Sequence, residues 1–251
     1  MTTFFHKWGC WFIALVAFGI VFTMLFFAAQ EAREAARRIS CCPDMVPAAL
    51  HIYHDIHGTF PPAYTVDENG KPLHSWRVLI LPYIGYEELY KQIRLDEPWD
   101  SPHNSQFHKL VPNVHGMTCQ SREREALDGL AHYQMVIGPD TISDGPNSTK
   151  LSDITNPESF LIVETSVGVP WMSPQDLPQS ALANGIIFFR PQRDKPVVQG
   201  IGSPHWQNGG GAWVSFTKAS ARFLSKDTPP ERLLEYSRIR LPEIENESDD
   251  E

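Results

Sequence analysis

The stretch LHIYHDIHGTFPPAY, residues 50–64, sets three histidines at intervals of three residues and then runs into two adjacent prolines. On a helix, His51 and His54 are neighbours across one turn, which is a spacing that suits a zinc-binding pair. A third ligand at His57 would lie about 240° round the helix from His51, at about 100° per residue, so the three rings cannot face one ion. We interpret the histidines as parts of a partly buried helix end and keep His51 and His54 as zinc candidates.

Upstream of this stretch, residues 30–57 are predicted to form a helical stalk that is broken near Pro43 and Pro47. The segment QEAREAARRIS is rich in good helix formers, whereas each proline lacks a donor and crowds the preceding turn. A second helical piece over about 48–57 has two candidate faces for packing onto a folded body. One face carries Leu50, Tyr53 and His57, and the other carries Ile52 and Ile56.

An apolar segment, WGCWFIALVAFGIVFTMLFFAA, precedes the stalk over residues 8–29 and holds no charged side chain. As a helix it would be roughly 33 Å long at about 1.5 Å per residue, which is enough to span a bilayer. It is predicted to be an uncleaved transmembrane helix after a cytoplasmic terminus, residues 1–7, because signal-peptide apolar regions are usually about 7–15 residues long. The expected partner is therefore a lipid bilayer, and the expected location is a membrane that the chain crosses once.

The rest of the chain is predicted to be a body over residues 58–242 and an acidic tail over residues 243–251. The chain has 21 prolines and 16 glycines, which indicate many turns and favour an α+β or mainly β body. The tail holds six acidic side chains and no basic one, so it is expected to be disordered. The net charge is −9 and the only basic run lies at 33–38, which excludes a nucleic-acid partner.

Motifs for catalysis or cofactor binding are absent from the sequence. It contains no GxSxG, no HExxH and no GxxxxGK[ST], so no catalytic residue and no cofactor are predicted. The loop DTISDGPNS, residues 140–148, makes Asp140, Asp144 and Asn147 candidates for calcium ligands. Turn formation by Asp, Gly, Pro and Asn accounts for the same residues and is the favoured interpretation.

Six aromatic residues of the body invite two interpretations, a ligand-binding patch or a core that the regular elements do not supply, of which we favour the core. They are Trp76, Tyr83, Tyr86, Tyr90, Trp99 and Trp171.

Several blocks of the chain occur in the order typical of one family. They are AAQEAREAARR (28–38), SWRVLILPYIGYEELYKQIRLDEPWDSPHNSQFHKLVP (75–112), HGMTCQS (115–121), YQMVIGPDTISDGPNST (133–149) and FLIVETSVGVPWMSPQDL (160–177). With these blocks the chain resembles the pilin-like domain-of-unknown-function family 1559, which is similar at its amino end to type II secretion pseudopilins. The resemblance covers most of residues 28–224. It implies an α+β fold in which a long amino-terminal helix continues into a stalk packed on an antiparallel sheet with long loops.

Two positions depart from the family pattern. True prepilins carry a processing motif with a glutamate five residues after a glycine, whereas here the fifth residue after Gly9 is Ala14. Near the carboxyl end, Lys218-Ala219 stands where the family has the Asp-Gly of a tight hairpin. We still predict a hairpin of strands 212–217 and 220–224 with a different turn, because its aromatic and β-branched residues favour strands.

The resemblance places the body outside the cytoplasm, whereas the positive-inside comparison of Lys7 with Arg33, Arg37 and Arg38 favours the cytoplasm. An extracytoplasmic body would allow a disulfide from Cys41 or Cys42 to Cys119.

The function implied by the resemblance is a structural or interaction protein with protein partners in a membrane, secretion or pilus-like assembly. The alternatives are a membrane-tethered metal-dependent hydrolase and a cell-surface binding module.

Overall fold

The computed structural model describes residue 16 and residues 18–29, 45–110, 112, 129–187, 199–202, 210–218 and 221–241. The chain divides into two compact units, residues 1–40 and residues 41–251.

Within the first unit, residue 16 and residues 18–29 are helical, and we call the helix over 18–29 α1. None of the described helices is both long enough and apolar enough to cross a membrane. The predicted transmembrane helix over residues 8–29 is therefore wrong. The physical reason is length, because the twelve residues of α1 extend for only about 18 Å, against a hydrocarbon core about 30 Å thick.

The second unit begins with helix α2, Met45–His57, which buries Val46, Ala49 and Leu50. Pro47 lies in the first turn of this helix, where a missing N–H costs nothing, so the helix starts earlier than the expected residue 48. Pro43, the other proposed break, lies outside the described residues.

The packing face of α2 is the Leu50 face, which confirms the first of the two alternatives. Tyr53 is half-buried on that side, while Ile52 and Ile56 on the other face are exposed. The helix ends at Gly58, whose positive φ of 78° suits the position after a helix terminus and whose N–H donates to the His54 carbonyl at 2.7 Å.

The main sheet contains four antiparallel strands in the order β10-β9-β7-β3. These strands are β3 (Leu130–Gln134), β7 (Phe160–Pro170), β9 (Gly211–Phe216) and β10 (Arg222–Ser225). Residues 160–166 of β7 are all buried, and the strand contributes to two apolar clusters. Leu161 packs in the cluster that contains α2, and Val163 packs in a second cluster with α5 (Pro230–Ser237). Burial on both faces explains the continuous apolar run of this strand.

Strands β9 and β10 form the predicted hairpin near the carboxyl end, with Val214 opposite Arg222 and Ala212 opposite Leu224. Lys218, which replaces the family's turn aspartate, donates from Nζ to the carbonyl of Ile154 at 2.5 Å. The turn residues 219 and 220 lie outside the described part of the chain. The hairpin itself is confirmed, and Lys218 ties its end to a neighbouring loop.

The remaining elements are short and lie between the main strands. A two-stranded sheet pairs β1 with β2, and a small mixed sheet has the order β6-β5-β4-β8. The strands are β1 (Tyr64–Val66), β2 (Pro72–Ser75), β4 (Val136–Ile137), β5 (Ser143–Asp144), β6 (Asn147–Ser148) and β8 (Leu177–Pro178); the helices are α3 (Trp76–Leu79) and α4 (Glu87–Gln92); the 3-10 turns are Leu81–Ile84, Asn104–Phe107, Leu151–Asp153 and Gln179–Asn184. The second unit is thus α+β, as predicted for the body.

Candidate functional site

The histidines of α2 contact protein groups on the second unit. His51 and His54 both lie against the buried Phe60, with ring centroids 5.3 Å and 5.0 Å away. Nε2 of His54 accepts the backbone N–H of Leu151 at 3.1 Å. Partial burial lowers the pKa of His51 below its ordinary value, with Asp55 acting in the opposite direction.

His57 points to a different neighbour from the other two histidines. Its ring lies 4.1 Å from that of Tyr53, and its Nε2 is 3.0 Å from the hydroxyl of Tyr83. Among the residues that the structure describes, no three His, Cys, Asp or Glu side chains are grouped so that they could hold a metal ion. Zinc binding by His51 and His54 would require His54 to give up its bond from Leu151.

The proposed calcium loop forms the β5–β6 hairpin, in which Asp144 pairs with Asn147 around Gly145 and Pro146. Gly145 has a φ of 66°, and a side chain there would meet the Tyr64 hydroxyl. Asn147 donates to the Asp144 carbonyl at 3.3 Å, and both side chains are exposed.

Asp140 is separated in role from the other two calcium candidates. Its carboxylate lies 3.5 Å from the Arg240 guanidinium, and its carbonyl accepts the N–H of Ile239. Turn formation and ion pairing therefore account for the oxygen-rich loop. The cysteines at 10, 41, 42 and 119 lie outside the described residues, and so do both proposed disulfides.

The most deeply buried charges of the described chain are Arg77 in α3 and Asp176 in the loop after β7. Both side chains are fully buried, and Nη2 of Arg77 lies 2.6 Å from Oδ1 of Asp176. The same oxygen accepts the Met135 N–H at 2.9 Å and the Trp76 indole N–H at 3.3 Å. The guanidinium also donates to the Tyr133 carbonyl and the Ser75 hydroxyl, at 2.8 Å each. The pair thus joins α3, β3 and the loop after β7.

Burial raises the pKa of the Asp176 carboxyl, while the Arg77 charge and the N–H donors act against this rise. Oδ2 of Asp176 has no hydrogen-bond partner in the structure, so all of its stabilisation reaches the carboxylate through Oδ1. The sequence contains a signal for this pair, because an arginine within the apolar run WRVLIL needs a buried acceptor. It contains no signal for which of 30 acidic residues would be that acceptor.

A second buried polar group, His74, holds the loop that follows α4. Its Nε2 donates to the carbonyls of Arg94 at 3.1 Å and Glu97 at 2.7 Å. Asn104 binds the same loop by donating to the Arg94 and Pro98 carbonyls. The Nδ1 atom of His74 is buried without a partner, and burial lowers the pKa of this ring.

Acid is expected to destabilise the protein through His74. A lowered folded pKa means that the unfolded ring binds a proton first, so the stability present above about pH 6.5 is lost as the pH falls towards the folded value, by up to about 1.4 kcal/mol per pH unit. The facing groups, the Arg94 and Glu97 carbonyls and Asp96, favour the charged ring but are outweighed by burial.

Urea unfolding of the protein and of His74→Gln between pH 7.5 and 4.5 measures this effect. The glutamine amide can still donate to the two carbonyls but does not titrate. The stability difference between the two proteins should shrink as the pH falls below 6.5. A difference that stays constant with pH would contradict the role assigned to His74.

A wide bulge interrupts the pairing of β3 with β7. Ala131 pairs with Val169 and Tyr133 pairs with Glu164, so residues 165–168 face the single residue His132. The side chain of Thr165 donates to the His132 carbonyl at 2.8 Å, and the Gln134 amide donates to the Thr165 hydroxyl at 2.7 Å. Side chains thus replace the missing ladder bonds, which explains why polar residues are buried within the sheet.

The six aromatic residues divide between the core and its margin. Trp76 and Trp171 are fully buried, while Tyr83, Tyr86, Tyr90 and Trp99 are partly buried and pack against the same cluster. The core interpretation of these residues is confirmed.

Two apolar surfaces remain exposed on the described chain. On α1, the large apolar side chains between 18 and 29 are all more than half exposed, from 51% at Ile20 to 70% at Phe18. On α2, one side carries an exposed row of apolar residues, which we call the outer stripe: Met45, Ala48, Ile52 and Ile56. Exposed apolar patches of this kind mark interaction surfaces.

Comparison with known proteins identifies one relationship. The family model described as "Protein of unknown function (DUF1559)" matches residues 30–166, which is more than half of the 251-residue chain. No curated protein matches the chain, and no solved structure does. The matched range contains α2, Arg77, the bulge residues of β3 and the first part of β7. The chain therefore belongs to the DUF1559 family of proteins of unknown function.

Proposed function

We propose that this chain is a structural protein whose copies assemble with one another through helix α1. The observation that carries the proposal is the exposure of every large apolar side chain that the structure describes between 18 and 29. A helix that is apolar on all sides is stable only when other apolar surface covers it.

The driving force for such an assembly is large. Burying an exposed Leu, Ile, Val, Phe or Met side chain fully is worth about 1.5–3 kcal/mol. Eight side chains of this kind are exposed on α1: Phe18, Ile20, Val21, Phe22, Met24, Leu25, Phe26 and Phe27. Burial of even part of this surface exceeds the entropic cost of association, which is about 4–15 kcal/mol.

Further copies of the same helix are the partners that this surface fits best. Residues 18–29 contain no charged side chain, so identical helices can pack side by side without burying an ion. The resemblance to pseudopilin-like proteins supports the same proposal, because their amino-terminal helices are the assembling part of the chain.

Sedimentation velocity of the full chain over a hundredfold concentration range tests the proposal. We expect the protein to sediment as oligomers, and we expect Phe22→Glu to raise the midpoint of dissociation at least tenfold. Glutamate is a good helix former, so the substitution adds a charge while keeping the helix. The cost arises because the carboxylate would be buried among apolar side chains.

The matched control is Val66→Glu, which places the same charge on an exposed apolar residue of β1 in the second unit. This control should sediment like the unmodified protein. An unmodified chain that stays monomeric over the whole range would contradict the proposal, and so would a Phe22→Glu variant that assembles normally.

A further inference from the structure

The outer stripe of α2 is an apolar surface that the fold of the second unit does not use. At about 100° per residue, its four residues fall within about 80° of one another round the helix. Ile56 is 62% exposed, Met45 is 47% exposed and Ile52 is 44% exposed, although the opposite side of α2 is fully buried. The helix therefore has two apolar faces, and only one of them contacts the core.

We propose that the outer stripe docks against the outer stripe of a second copy of this chain. This inference rests on the proposed assembly through α1 and adds a second, body-borne contact to it. Its partner is a helix of the same sequence.

Self-pairing suits the chemistry of the stripe. In an interface with twofold symmetry the same patch is used by both copies, so the patch must be complementary to itself. A row of Met, Ala and Ile meets an identical row without bringing like charges together. Asp55, whose side chain is 79% exposed, lies at the margin of the row and can stay in water.

The small size of the stripe indicates a tethered partner. Four side chains cover far less than the roughly 800 Å² per partner of a stable interface. An independent protein would therefore gain too little from the stripe to remain bound. The sequence places only residues 30–44 between α1 and the first residue of α2. Copies joined through α1 thus hold their stripes at an effective concentration in the millimolar range, at which a weak contact can form.

Photo-crosslinking of the full chain identifies what covers the stripe. The photoreactive residue p-benzoylphenylalanine is placed at position 52, and equal amounts of ¹⁴N-labelled and ¹⁵N-labelled protein are mixed, irradiated and digested. Mass spectrometry should find residues 45–57 of one isotope joined to residues 45–57 of the other. The yield should exceed that from the same probe at position 66, an exposed apolar site on β1, by at least tenfold. Adding Phe22→Glu should lower the yield from position 52 at least tenfold.

The outcomes separate this inference from the proposed function. Crosslinks from position 52 only to the same copy, or to residues outside 45–57, would overturn the pairing of stripes. A yield no higher than at position 66, in a chain whose oligomers still depend on Phe22, would also overturn it and leave assembly through α1 intact. An unmodified chain that is monomeric would end both proposals together.

Discussion

Replacing Arg77 with methionine should lower the free energy of unfolding by about 3–5 kcal/mol, because the change leaves a buried charge without its partner. Asp176 is fully buried, and its Oδ1 atom would keep only the N–H groups of Met135 and Trp76. The Tyr133 carbonyl and the Ser75 hydroxyl would lose their donors at the same time. Urea unfolding followed by circular dichroism measures the loss.

A double replacement keeps the test meaningful if the single variant fails to fold. Arg77→Met combined with Asp176→Leu removes both charges, so it should be more stable than Arg77→Met alone. It should remain below the unmodified protein, because each buried group left unsatisfied costs about 1–3 kcal/mol.

Arg94→Met is the matched control for the buried pair. Arg94 pairs with Glu97 at 2.8 Å, but its side chain is 56% exposed. An exposed pair is worth about 0–1 kcal/mol, so this variant should be nearly as stable as the unmodified protein. Equal effects of Arg77→Met and Arg94→Met would show that Arg77 does not hold the core together.

Replacing Trp171 with alanine is the second change with a large expected effect, a loss of about 3–5 kcal/mol. Trp171 is fully buried in the cluster that also contains α2, and its indole N–H donates to the carbonyls of Phe107 at 3.3 Å and His108 at 3.1 Å. Alanine would leave a cavity and two carbonyls without this donor. Hydrogen exchange should also become faster at residues 104–108, because the indole N–H binds the end of that 3-10 turn.

Two further variants separate the contributions of volume and hydrogen bonding. Trp171→Phe keeps most of the volume and removes the donor, so we expect a loss of about 1–3 kcal/mol. Trp99→Ala removes a partly buried ring that stacks on His108 at 4.9 Å, and it should cost less than Trp171→Ala. If Trp99→Ala proves the more costly change, Trp171 is not the centre of this cluster.

The membrane-spanning helix shows where reasoning from composition leads to a wrong prediction. The absence of charge over residues 8–29 predicts a continuous helix long enough for a bilayer. The structure describes a helix only over 18–29 of that segment, with residue 16 also helical, and none of its described helices meets the length and hydropathy of a membrane span. Apolar composition indicates that a segment needs apolar surroundings, but it does not determine how long the helix is or what covers it.

Local patterns along the chain determine several features of this protein by themselves. The strand-forming residues around Trp213 and Phe223 predict the β9–β10 hairpin, and the ordered motifs identify the family. These features depend on residues close in sequence, whose backbone preferences and spacing act over a few positions.

Only the tertiary structure decided which distant groups meet. Arg77 and Asp176 are separated by 99 positions, and neither residue type specifies the other. The bulge opposite His132 and the choice of the Leu50 face of α2 likewise depend on how strands and helices pack. Periodicity shows that a face is apolar, whereas the shape of the neighbouring core decides whether that face is buried or left exposed as the outer stripe. The physical reason is that burial and ion pairing depend on distance in space, which the order of residues constrains only over short separations.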